Sequence, residues 1–220
     1  MPSIFTDRRE ALSDAPYDSF NLALHVGDDP KVVGKNRQTL SLQSGPVQFM
    51  NQVHGNSFAV IDSVTSAEPT CDALITTTPG VALAVLVADC IPLLLSSKTV
   101  VAAVHVGRKG LDNYIALKVI EEMRRLGSGA IHAQLGASIC GSCYEVPASM
   151  AQDISQTHPV ARSQTQALTP ALNLPRALIA DLVAEGLTYE ASTDCTYENP
   201  RFFSYRRRNI TGRNAGVIWL

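Results

Sequence analysis

Val81–Ala88 (Val-Ala-Leu-Ala-Val-Leu-Val-Ala), Asp89-Cys90, Ile91–Ser96 (Ile-Pro-Leu-Leu-Leu-Ser) and Thr99–Val106 (Thr-Val-Val-Ala-Ala-Val-His-Val) follow one another almost without a break. Each run has the length of a strand, and none has the alternating polar positions of a strand with one wet face. Strands of this kind are covered on both sides. The stretch therefore predicts a central sheet sandwiched between other layers. Downstream, Gly107–Gly110 turns the chain into a helix, whose apolar positions Leu111, Ile115, Val119, Met123 and Leu126 recur at helical spacing. Upstream, Val47–Val53, Ser57–Asp62 and Asp72–Thr76 read as shorter strands, the last closed by Thr78-Pro79-Gly80.

Further out, Ile131–Leu135 reads as a strand, Pro147–Gln156 as a helix, Pro175–Glu185 as a helix with proline at its start, and Tyr189–Thr193 as a strand. The chain closes on the apolar strand Ala215–Leu220. The first 40 residues read as irregular and polar, with a turn at Asp28-Asp29-Pro30 and a short helical pattern at Lys35–Leu40. The fold class this predicts is α+β (α/β), a mixed β-sheet core flanked by helices in a single domain over residues 1–220.

At 220 residues, 45% hydrophobic and 17% charged, the chain can bury a substantial core. A net charge of −2 leaves no global footprint for nucleic acid or an anionic membrane. No run is long enough to span a bilayer, and Met1–Asp7 lacks the apolar stretch of a signal peptide. Five scattered cysteines fit a reduced compartment, with the cytoplasm as the default. A small-molecule substrate, no nucleic-acid or membrane partner, and a monomer or small homo-oligomer are expected.

Soft metal ligands sit at three boundaries: Gln52-Val53-His54-Gly55, Ala88-Asp89-Cys90 and Ala103-Val104-His105-Val106-Gly107. Two imidazoles and a thiolate suit zinc or copper, and three protein ligands leave a position open for chemistry. Each residue also has a plain reading, since a lone buried histidine is usually only hydrogen-bonded and a lone buried cysteine usually only packs. Asp89 can orient a ligand imidazole or cap a turn. Cys140-Gly141-Ser142-Cys143 has CxxC spacing but no second pair, because Cys71 and Cys195 are isolated in sequence; a tight glycine-rich turn is the favoured reading, and a redox or zinc role the weaker one. The run Arg201-Phe202-Phe203-Ser204-Tyr205-Arg206-Arg207-Arg208, followed by Arg213, can bind RNA, hold one anionic substrate, or form a solvated face. Strand-like alternation there puts Phe203 and Tyr205 on one side.

Pro16–Leu22, His25–Pro30, Asn36-Arg37, Gln52–Gly55, Asp72-Ala73, Pro79-Gly80, Ala88–Cys90, Ala102–His105, Tyr144–Val146, Cys195–Tyr197, Phe203–Arg207 and Thr211–Arg213, taken in order, resemble the YfiH-like laccase-domain family over nearly the whole chain. The resemblance implies an α+β fold similar to a bacterial toxin deamidase domain of the cytotoxic necrotizing factor type. It implies zinc-dependent phosphorolysis of adenosine, inosine and methylthioadenosine, with adenosine deamination. It matches His54, Cys90 and His105 to the family's metal ligands. Departures stand at Arg108-Lys109 (for Trp-Arg), at Ala137 in Gly136-Ala137-Ser138-Ile139, at Asn173 (for Asp), and at Glu10-Ala11 (for a glycine pair).

For such a reaction Arg37, Arg206 and Arg207 are the candidate phosphate ligands, and Tyr144, Tyr205 and Phe203 can stack on a purine, with core packing the plain reading of Phe203. The same ligand set suits copper, as in a laccase-like polyphenol oxidase. A trinuclear copper cluster, however, needs more imidazoles than the three that remain beyond His54 and His105. A third reading makes Cys90 a nucleophile and His105 its base in a metal-free hydrolase or amidase. A fourth is an RNA-binding module that uses the C-terminal arginines.

Overall fold

Along a strand, successive side chains point to opposite faces, so a strand that is apolar at every position needs a partner layer on each side. The computed structural model, which describes residues 1–8 and 11–220, supplies both layers. Its elements are β1 (Ser3–Phe5), α1 (Pro30–Ser44), β2 (Val47–Gln48), β3 (Phe58–Val60), β4 (Ala73–Thr76), β5 (Ala82–Val87), β6 (Ile91–Ser96), β7 (Val101–Val106), α2 (Arg108–Asp112), α3 (Ile115–Arg125), β8 (His132–Leu135), α4 (Ala148–Thr157), β9 (Arg162–Gln164), β10 (Pro170–Leu172), α5 (Leu174–Ala184), β11 (Thr188–Ala191) and β12 (Asn214–Ile218). A mixed six-stranded sheet runs β11-β8-β6-β7-β4-β3, and a mixed four-stranded sheet runs β1-β12-β5-β2. A small β9–β10 hairpin stands apart from both.

The two sheets face each other. Leu83, Val85 and Val87 of β5 meet Leu74, Leu94, Val101 and Ala103 in the layer between them. The alternate residues of β5, Ala82, Ala84 and Leu86, pack outward with Leu40 of α1. On the far side, Leu93, Leu95, Ala102 and Val104 of the larger sheet pack against Ile115, Val119 and Met123 of α3 and Leu178 and Leu182 of α5. The result is helix, sheet, sheet, helix, the mixed α+β class that the apolar runs predict.

The expected helix over Leu111–Leu126 is two helices, the first of which already begins at Arg108 within the expected Gly107–Gly110 turn. Tyr114 adopts a left-handed φ of 56° and interrupts the backbone ladder between α2 and α3. The Lys35–Leu40 pattern belongs to a longer helix, capped by Asp29, whose carboxylate accepts the Lys31 amide at 2.8 Å. Its buried positions Val33, Asn36, Leu40 and Ser44 keep helical spacing, but two of them are polar, so apolar periodicity undercounts the helix. Asn36 compensates by donating to Ser13 Oγ and the Asn21 carbonyl, both at 3.0 Å. Within Val47–Val53 only Val47–Gln48 pairs as strand, and Ser3–Phe5, read as irregular, pairs antiparallel with β12. Asn173 caps α5 by accepting the Arg176 amide at 2.9 Å, which an asparagine does as well as an aspartate. The departure at Glu10 lies outside the described residues.

Among the described residues no helix is long and apolar enough to cross a membrane.

Candidate metal centre and its cavity

Because β4, β7 and β6 are antiparallel neighbours, the start of β4, the end of β7 and the start of β6 share one rim of the larger sheet. Asp72 immediately precedes β4, His105 sits near the end of β7, and Cys90 immediately precedes β6. The His105 amide donates to the Asp72 carbonyl at 2.8 Å, continuing the β4–β7 ladder to the rim. His54 arrives from the β2–β3 connection with a left-handed φ of 58°. Its ring meets that of His105 edge-on, centroids 4.6 Å apart, and its Nε2 is 4.0 Å from Cys90 Sγ. Ligand atoms of His54, Cys90 and His105 all lie within 4.8 Å of one another.

The centre is organised by Asp72, which has no exposed surface. Its Oδ1 accepts His105 Nδ1 at 2.8 Å and the His54 amide at 2.9 Å, while its Oδ2 accepts the Gly55 amide at 2.6 Å. Burial pushes this carboxyl up, but the His105, Gly55 and His54 hydrogen bonds outweigh it and hold the group below its ordinary range. An ionised Asp72 places the His105 proton on Nδ1, which leaves Nε2 to face Cys90 and His54. This is the orienting role that sequence reading offered for Asp89, beside capping a turn. Asp89 instead accepts from Thr196 Oγ1 at 2.7 Å and the Arg206 amide at 2.6 Å, tying the C-terminal segment to the rim from a left-handed φ of 93°. The signal missed was the placement of Asp72 one residue before a strand that pairs with the His105 strand.

Burial raises the Cys90 thiol, but the charges and hydrogen bonds of His105 and His54 bring it down to about 6. Burial lowers His105, yet Cys90 and Asp72 together lift it to about 9. Two imidazoles and a ready thiolate form a donor set for a borderline-soft divalent cation. The backbone leaves room for one. A Cβ at Gly107 would stand 2.9 Å from Cys90 Sγ and 3.3 Å from His54 Cδ2, so the floor of the cluster is a space that only glycine keeps open. Gly107→Ala is therefore expected to displace the sulfur or the His54 ring at a cost of about 1–3 kcal/mol. At least a tenfold loss of metal affinity should appear in competition with a chromogenic chelator, with the overall fold retained.

A cavity of about 300 Å³ opens over this cluster, walled by Gln52, Tyr144, Tyr205, Arg206, Arg213 and His25. Tyr144 and Tyr205 are thus brought to the cluster, and the Arg206 guanidinium lies over the Tyr144 ring at 5.0 Å while donating to the Glu145 carbonyl at 2.8 Å. Arg37 and Arg207 are not on the wall. Arg37 is committed to the Leu22 carbonyl, to Glu68 at 2.7 Å and to the Phe49 ring at 3.7 Å. Arg207 is committed to the carbonyls of Thr196 and Tyr197 at 2.6 and 2.9 Å. Both guanidinium groups lie off the cavity lining and brace loops there, which is what separates them from Arg206 and Arg213. Residues 201–208 form turns rather than a strand, so alternation fails there: Phe203 is fully buried in the core while Tyr205 is exposed. Gln52 and His25 are wall residues that sequence reading did not select as ligands, and Arg213, counted there in the C-terminal basic stretch, was not among its phosphate candidates. A larger hollow of about 550 Å³ between α4 and β9 has no comparable cluster of ligating side chains on its walls.

A family model described as multi-copper polyphenol oxidoreductase laccase matches residues 2–220. The chain belongs to this laccase family. It is 43% identical to a Corynebacterium glutamicum protein named purine nucleoside phosphorylase, covering 99% of this chain and 93% of that one. A Streptomyces griseus protein of the same name is also 43% identical, with 98% and 93% covered. A crystal structure of a Neisseria meningitidis protein superposes with a TM-score of 0.90 at 31% identity, covering 99% of this chain and 93% of that one. The Bacillus licheniformis YfiH structure does so at 0.90 and 28% identity, with 99% and 92% covered. Relatives of this laccase family thus carry a phosphorylase name over essentially the same length of chain.

Proposed function

We propose that this laccase-family chain, acting as one domain over residues 1–220, is a zinc-dependent purine nucleoside phosphorylase. Adenosine, inosine and methylthioadenosine are the substrates, and adenosine deamination is a second activity. The observation that carries the reading is the convergence of His54, Cys90 and His105 on one point at the floor of a cavity with tyrosines and arginines on its wall. The names of its relatives support the phosphorylase part of the reading. When bound by these three residues, zinc supplies Lewis acidity at the cavity floor.

The chain's own residues supply the rest. Arg206 and Arg213 present positive charge to a phosphate and hold it against the ribose anomeric carbon, where the phosphate's negative charge offsets the positive charge that builds as the glycosidic bond stretches towards an oxocarbenium ion. Arg213 is the better buried of the two, with its guanidinium anchored on the Thr211 and Gly212 carbonyls at 3.0 Å. Tyr144 and Tyr205 flank the purine and keep water from the reacting carbon. Asp72 fixes the His105 tautomer throughout. Arg206→Ala removes one charged donor, an interaction of about 1.5–3 kcal/mol. The phosphate KM should rise by about ten- to a hundredfold with zinc content unchanged, as measured by initial rates against phosphate.

The deciding assay incubates the protein with adenosine and phosphate and separates adenine, inosine and hypoxanthine. Adenine with ribose 1-phosphate reports phosphorolysis, and inosine reports deamination. No turnover of any purine nucleoside by zinc-loaded protein sinks the reading.

A second reading is favoured by the thiolate–imidazolium character of Cys90 and His105, which suits a cysteine nucleophile. It predicts a catalyst indifferent to chelators and destroyed by alkylation. A multicopper oxidase fits less well. Of the remaining histidines only His25 lines the cavity, while His132 is bonded to Thr188 and His158 to Asp181. Five free thiols suit a reducing compartment such as the cytoplasm.

A further inference from the structure

Cys140 and Cys143 lack a sequence neighbour to complete a metal site, but the fold supplies one. Cys195, 55 residues from Cys140, lies beside it, and the Cys140 amide donates to Cys195 Sγ at 3.3 Å. Cys143 Sγ stands 3.3 Å from Glu198 Oε1. Ligand atoms of Cys140, Cys143, Cys195 and Glu198 all lie within 4.8 Å of one another. Arg207 holds the Cys195 segment in place, pinned to the carbonyls of Thr196 and Tyr197. Neither partner segment is regular: residues 140–143 form a turn, and 195–199 form another, joined by a single bridge between Ser138 and Cys195. Gly141 is packed so closely on Asn173 that a Cβ would meet its side chain at 2.6 Å, which fixes the turn in place.

We propose that Cys140, Cys143, Cys195 and Glu198 form a second site, a four-donor clip for one zinc-like divalent cation that fastens the 140–143 turn to the C-terminal segment. Three thiolates and a carboxylate close the coordination shell, which is the arrangement of a structural rather than a catalytic ion. The clip sits directly behind the cavity wall. Tyr144 follows Cys143 in sequence, and Arg206, which bonds the Glu145 carbonyl, follows from the Cys195 segment. A cation here makes one rigid piece of the two loops that bring Tyr144 and Arg206 together.

The test is metal analysis of purified full-length protein by mass spectrometry, with Cys90→Ala and Cys143→Ser alongside. The wild type should carry about two zinc ions per chain and each variant about one. Cobalt loading of Cys90→Ala isolates the second site, because Cys90 is the only sulfur at the first. An intense sulfur-to-cobalt absorption should survive in that variant, and this measurement needs no substitution in the clip. One zinc per wild-type chain, all of it lost in Cys90→Ala, overturns the clip and leaves the phosphorylase reading intact. Metal lost from Cys143→Ser but fully kept in Cys90→Ala supports the clip and removes the first centre instead. A free-thiol count about two short of five in protein unfolded without reductant shows a disulfide in place of the metal, and overturns the clip as well.

Discussion

Cys90→Ala is expected to lose about one zinc per chain and to lower nucleoside phosphorolysis by at least about a hundredfold. Cys90 is the one soft anionic donor among the three residues on the cavity floor, and the other two are neutral imidazoles when they bind a metal. Removing it leaves two nitrogens and an opening, too few donors to retain a catalytic ion against a chelator. The same variant would also silence a cysteine nucleophile, so wild-type protein stripped of metal must accompany it. Stripped protein should be inactive and regain activity on adding zinc, with the metal measured in each sample. Full turnover by metal-free wild type would favour the thiolate reading over the zinc one.

Asp72→Asn should cost about ten- to a hundredfold in zinc affinity, although Asp72 touches no metal. One buried carboxylate accepts the His105 ring proton and the amides of His54 and Gly55, so both imidazoles owe their placement to it. Asparagine offers one acceptor oxygen and turns an NH₂ towards groups that are themselves donors. At least one buried N–H is then left without a partner, at about 1–3 kcal/mol. Denaturant unfolding of the metal-free protein should register that loss, and chelator competition the lost affinity. The sign of its pH dependence follows from the lowered carboxyl. The stabilisation is complete above the ordinary aspartate pKa of about 3.9 and disappears as pH falls through the lower folded value. An Asp72→Asn protein that binds zinc as tightly as the wild type would show that the imidazoles are positioned by something else.

Much of the fold is legible in the chain because it rests on local periodicity. The three runs from Val81 to Val106 have no polar face, so they had to be sandwiched. Where periodicity is short or polar the reading falters: α1 hides behind buried Asn36 and Ser44, and β1 is only three residues long. Tyr114 breaks a helix whose apolar spacing gives no sign of it, because a left-handed residue leaves the pattern of side-chain types unchanged.

Among the candidate site residues, sequence proposed the soft donors His54, Cys90 and His105 from their chemistry, and family resemblance set them together. Sequence was less informative about which charges are free to act. Arg37 and Arg206 are indistinguishable as residues, yet one is spent on Glu68 and Phe49 while the other reaches the cavity.

What the amino-acid order determined alone is the layered class, through burial on both faces of short strands, and the types of ligand present. What only the tertiary structure decided is who meets whom. Antiparallel pairing of β4, β7 and β6 carries Asp72, His105 and Cys90 to one rim, and loop closure brings Cys195 to a CxxC turn 55 residues away. Hydrogen-bond and metal chemistry act over about 2–3 Å, a distance that separation along the chain does not encode.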